Sequence, residues 1–69
     1  MTSYKKIIGK NLTAYMKERN LSYKDVSEMA GMSLTSIWHW ANGLTEPGAG
    51  NLYWLAQVFD EPMEDFFKC

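Results

Sequence analysis

Residues 22–43 read SYKDVSEMAGMSLTSIWHWANG, and their pattern predicts two short helices joined by a sharp turn. Ser22 suits a helix N-cap, because its hydroxyl can accept from an amide that the first helical turn leaves without a partner. Asp25, three residues on, sets a carboxylate against the positive end of the helix dipole. Val26 and Ala30 share one face at the i, i+4 spacing, and Gly31 supplies the left-handed conformation that ends the helix and turns the chain without steric cost. Met32 is expected as an apolar plug in the turn. Ser33 is a second N-cap, and Ile37, Trp40 and Ala41 fall at i, i+3, i+4 as a buried stripe. Gly43 closes the second helix. Its opposite face displays Leu34, Thr35, Trp38 and His39, so a ligand of this helix meets those four side chains first.

The flanking segments read as support for this pair. Upstream, a helix is predicted from about Ser3 to Arg19, with Ile8, Leu12, Tyr15 and Met16 on one face and Lys5, Lys6, Lys10 and Lys17 around it. Asn20 suits a left-handed C-terminal cap, and Leu21 returns the chain to the core. Downstream, LTEPGAGN, residues 44–51, reads as a loop punctuated by Pro47, Gly48 and Gly50. A fourth helix follows, in which Leu52, Leu55, Ala56 and Phe59 recur at helical spacing until Asp60 breaks it. Pro62 suits the start of a last short helix, PMEDFF, whose Met63 and one of Phe66 and Phe67 pack inward. Trp40 reads as core, and Trp54 as a half-buried packing or interface residue.

Ile8, Gly9 and Leu12, then Leu21 and Ser22, then Gly31 and Ser33, and finally Ile37, Asn42, Gly43, Pro47, Leu55 and Ala56 follow one another in an order and spacing that resembles the phage repressor and Cro type of helix-turn-helix domain. The resemblance covers nearly the whole chain. It implies an all-α, compact five-helix repressor-like domain spanning residues 1–69, with the helix-turn-helix at its centre, and the function of a small phage or bacterial transcription regulator. By family position the base-contacting residues are Leu34, Thr35, Trp38 and His39, and the phosphate contacts are Tyr23, Asn42, Thr45 and Asn51. The family commonly pairs an arginine of the first helix with a glutamate at the end of the reading helix; here those positions hold Met16 and Ala41. Both charges are absent together, which leaves no stranded buried ion and is compatible with a well-folded domain.

Composition bounds the possibilities. A chain of 69 residues forms one domain, and at roughly this size it buries only about 60% of its unfolded surface, so self-association as a homodimer is a natural source of extra stability. No stretch approaches the ~20 apolar residues that cross a bilayer, and MTSYKKIIGKN has no following apolar run or cleavage site for export. The single cysteine, Cys69, has no partner for an internal disulfide. The cytoplasm is therefore the expected compartment.

Charge complicates the DNA expectation. The net charge is -1, and the basic residues are Lys5, Lys6, Lys10, Lys17, Arg19, Lys24 and Lys68, with none between Val26 and Phe67. That span carries Glu28, Glu46, Asp60, Glu61, Glu64 and Asp65. Proteins gain most DNA affinity by replacing counterions on phosphates, so tight unaided binding is disfavoured. Of the four base-contacting positions, only Thr35 and His39 are read as hydrogen-bonding groups, while Leu34 suits a thymine methyl, so the face supports at most A·T-rich, low-information readout. Trp38 is bulky for a groove and well suited to a protein pocket. Two functions thus stand together: an operator-binding regulator acting on double-stranded DNA as a dimer, or an anti-repressor that keeps the fold and grips a partner regulator protein through Leu34, Trp38 and neighbouring Met29 or Trp54. An enzyme is not expected, since one histidine, a terminal cysteine and scattered carboxylates offer no nucleophile and base pair. Neither metal, cofactor nor small-molecule substrate is expected.

Overall fold

The computed structural model describes residues 3–69 and places four α-helices among them: α1 Lys5–Glu18, α2 Tyr23–Ala30, α3 Leu34–Ala41 and α4 Ala49–Phe59. A short 3-10 helix, Met63–Phe67, closes the chain. The expectation of five helices is thus corrected to four and a 3-10 turn. The reason is local: Asp60 and Pro62 leave only five residues before the terminal segment, a length at which the tighter i, i+3 turn is common. Two boundaries also move. The first helix is shorter than the predicted 3–19 span, since Tyr4 and Arg19 are flanking residues with ψ near zero. The loop after Gly43 is shorter than 44–51, because Gly48 is the extended N-cap and Ala49, Gly50 and Asn51 already form the first turn of α4.

All four α-helices end in the same way. Asn20, Gly31, Gly43 and Asp60 have φ of 55°, 67°, 71° and 55° respectively. In each case the following amide reaches back to the carbonyl five residues earlier: Leu21 to Met16, Met32 to Ser27, Leu44 to His39 and Glu61 to Ala56. These are Schellman closures, in which a left-handed residue lets the chain fold back over orphaned carbonyls. Each reversal brings the next helix onto the same core.

That core is formed by Ile8, Leu12 and Met16 of α1, Val26 and Ala30 of α2, Ile37, Trp40 and Ala41 of α3, Leu52, Leu55, Ala56 and Phe59 of α4, and Phe66. Met16 and Ala41 are both buried and apolar, so neither position strands a charge in the core. Of the two terminal phenylalanines Phe66 is fully buried, while Phe67 is 38% exposed and sets its ring edge-on to Tyr4. α1 packs against α3 and the closing turn, and α2 packs against α3 and α4.

Side chains far apart in sequence tie these elements together. The Asn11 amide donates to the carbonyls of Phe66 and Lys68, each at 2.8 Å, and holds the C-terminal segment on α1. The Arg19 guanidinium donates to the Phe59 carbonyl and to Glu61, both at 2.8 Å, while lying over the Tyr15 and Phe59 rings. The Trp54 indole N–H donates to the Ala30 carbonyl at 2.8 Å, which satisfies an acceptor at the end of α2 from α4.

Candidate functional site

The site is the outward side of α3, and its placement begins with the turn before it. Ser22 and Asp25 form a reciprocal capping box: the Ser22 amide donates to the Asp25 carboxylate at 2.9 Å, and the Asp25 amide donates to the Ser22 hydroxyl at 3.0 Å. Hydrogen bonds from the Ser22 backbone and then from its hydroxyl hold the Asp25 carboxyl below the usual carboxylate range. At the other end of α2, the Ser27 hydroxyl donates to the Met32 carbonyl, fixing the turn. The Ser33 hydroxyl then accepts from the Ser36 amide at 3.1 Å and starts α3.

α1 sets the far end of α3. A Cβ at Gly9 would lie 2.7 Å from the Trp40 carbonyl oxygen and 2.9 Å from the Gly43 nitrogen, so only glycine permits this approach. Beside it, the Thr13 hydroxyl donates to the Ala41 carbonyl at 3.0 Å. These contacts join the Gly9–Thr13 stretch of α1 to the end of α3. The inner stripe of Ile37, Trp40 and Ala41 therefore has one seating, and the outer side is displayed in one orientation.

On that outer side Leu34 is 47% exposed and Trp38 42%, while Thr35 is exposed and His39 half-buried. Trp38 does not fold back over the turn. Its ring meets the His39 imidazole edge-on, with centroids 5.6 Å apart. All four expected side chains thus share one face.

The four candidate phosphate contacts are placed less uniformly. Tyr23 opens α2 and Asn42 caps α3, and the structure brings them together: the Asn42 amide donates to the Trp38 carbonyl at 2.8 Å and approaches the Tyr23 hydroxyl at 3.5 Å. Thr45 is exposed in the loop and Asn51 is exposed in the first turn of α4. Among the described residues no hydrogen bond joins those two to the Tyr23–Asn42 pair.

The charges available to an anion are fewer than the composition suggests. Arg19 is held by Glu61, Glu18 and the Phe59 carbonyl. Lys68 pairs with Asp65 at 2.8 Å, and that hydrogen bond raises its pKa. The other lysines lie on α1 and α2, and α3 itself carries only His39. The engagement of Arg19 by Phe59 and Glu61 had no local signal, because those two acceptors lie some forty residues further along the chain. Trp54, which sequence placed as packing or interface, packs on the end of α2 with 48% of its surface still exposed. A surface depression lined by Ala56, Gln57, Asp60, Glu61 and Pro62 lies where α4 enters the closing turn, and no α3 residue lines it. No helix among the described residues is long and apolar enough to cross a membrane.

A family model described as helix-turn-helix matches residues 12–66, which is most of the chain. No curated protein matches it.

Proposed function

Because the chain belongs to the helix-turn-helix family of the phage repressor and Cro type, we propose that it is a phage or bacterial transcription regulator, acting in the cytoplasm, that binds operator DNA as a homodimer through α3. The observation that carries this reading is the division of α3 into two sides. Ile37, Trp40 and Ala41 are locked into the core, while Leu34, Thr35, Trp38 and His39 face outward together. An α-helix of ordinary diameter enters the major groove, and two copies related by a two-fold axis place their helices in successive grooves about 34 Å apart. Tyr23, Asn42, Thr45 and Asn51 stand at helix ends or in the loop between α3 and α4, where polar groups and backbone amides can meet phosphates and set the register. The low positive charge makes binding modest and concentration-dependent, with dimerisation adding the second set of contacts.

A mobility-shift titration against duplex DNA at low salt tests this. Saturable binding that fades steeply as salt rises, and that weakens in Thr35→Ala and His39→Ala, supports it; no shift even in dilute buffer refutes it.

A second reading, an anti-repressor that binds another regulator, is favoured by a different observation. Met29, Leu34, Trp38 and Trp54 are each between 42% and 51% exposed on or beside the α2–α3 unit. Large aromatic groups of this kind anchor protein interfaces. It predicts that Trp38→Ala abolishes co-purification with a partner regulator while the variant keeps its helicity, and a complex that survives the substitution excludes Trp38 as the anchor.

A further inference from the structure

We propose that α3 selects its DNA site through the C5-methyl groups of pyrimidines, thymine above all, with Leu34 as the specificity-determining side chain. The inference rests on the DNA-binding reading above and deepens it by naming the chemical group recognised.

Base edges in the major groove offer two kinds of feature, hydrogen-bonding atoms and the thymine methyl. The side chains that read the first kind bidentately or through full charge are arginine, lysine, asparagine, glutamine and the carboxylates, whereas serine and threonine make single, less discriminating hydrogen bonds. Residues 34–41, LTSIWHWA, contain none of the first group and only Thr35 and Ser36 of the second. The nearest amide, Asn42, is turned back to the Trp38 carbonyl and the Tyr23 hydroxyl. Ser36 is bonded to the Ser33 cap. His39 is half-buried against the Trp38 ring, so its imidazole is partly covered. What the face projects at its N-terminal end is the Leu34 side chain, nearly half exposed, with the Thr35 methyl and hydroxyl next to it and the Trp38 ring one turn further along. A branched aliphatic group beside a small amphipathic one complements a methyl group, and an aromatic ring one turn away excludes water around it. Covering a methyl removes about 0.8 kcal/mol of apolar hydration, which is roughly a fourfold change in affinity for each methyl covered.

Alternating duplexes poly(dA-dT) and poly(dA-dU), which differ only in the C5-methyl, provide the test. Competition at low salt, read by fluorescence anisotropy of a labelled duplex, is expected to show at least about fourfold tighter binding to the thymine polymer. Leu34→Ala, which alters an exposed side chain, is expected to bring the two polymers within twofold while far-UV circular dichroism stays native. In a mixed-sequence duplex, replacing dC by 5-methyl-dC is expected to raise affinity, which separates methyl recognition from the groove shape of A·T tracts. Equal, salt-sensitive binding to both polymers overturns the methyl inference and leaves the DNA-binding reading intact. A thymine preference undiminished in Leu34→Ala overturns the role of that residue. Absence of binding to either polymer in dilute buffer overturns the DNA-binding reading and this inference together.

Discussion

Replacing Gly9 by alanine sets two physical effects against each other, and the structure decides the sign. In an exposed helix the change stabilises by roughly 0.8–1.0 kcal/mol, because alanine has less backbone entropy to lose. At Gly9 the new Cβ would fall 2.7 Å from the Trp40 carbonyl oxygen, 2.9 Å from the Gly43 nitrogen and 3.0 Å from the Ala41 carbonyl oxygen. All three are backbone atoms at the end of α3, so no flexible side chain can swing aside. α1 must retreat by roughly 0.7 Å to reach ordinary van der Waals contact, which loosens the Thr13 hydrogen bond to Ala41 as well. Overpacking of this kind costs about 1–3 kcal/mol, and the weakened hydrogen bond about 1 kcal/mol, so the net result is a loss near 2 kcal/mol. Urea unfolding followed by circular dichroism should show the midpoint falling by about 2 M, for a slope near 1 kcal/mol per molar. Because the displaced end belongs to α3, affinity for DNA should fall alongside. A Gly9→Ala protein that is more stable than the parent would refute the close approach of α1 and α3.

Three further substitutions probe separate contacts. Trp54→Phe keeps an aromatic ring but leaves the Ala30 carbonyl without its indole donor, and should cost about 1 kcal/mol in urea unfolding. Arg19→Met should lower the thermal midpoint by several degrees, about 1–2 kcal/mol, because the Phe59 carbonyl and Glu61 lose their common donor while the aliphatic stem is kept. The capping-box carboxyl of Asp25 has a folded pKa below its unfolded value, so its stabilisation is present above the ordinary carboxylate pKa of about 3.9 and is lost as pH falls through the folded value. Urea midpoints of the parent and of Asp25→Asn, measured from neutral to acid pH, should therefore converge as pH falls through and below about 4.

The helix ends were legible because their determinants are local. Ser22 and Asp25, or Ser33 and Ser36, lie within one turn of each other, and the left-handed residues Asn20, Gly31, Gly43 and Asp60 close each helix through backbone bonds five residues long. The apolar stripes of α1, α3 and α4 were legible through their period. The four-residue outer face of α3 followed from the same period together with the family likeness. Less visible were the start of α4 at Ala49, where two glycines masked a helical turn, and the 3-10 form of Met63–Phe67, whose few residues carry no resolvable period.

By itself, then, the sequence determined where helices begin and stop and which side of each is apolar, since propensity, capping and periodicity act over a few residues. Only the tertiary structure decided which polar groups remained available to a ligand. Arg19 was drawn to Phe59 and Glu61, Asn11 to the terminal carbonyls, Thr13 to Ala41 and Trp54 to Ala30, across separations of 24 to 57 residues. A buried or half-buried carbonyl attracts whichever donor the fold brings within reach, and that choice exists only once the helices have packed.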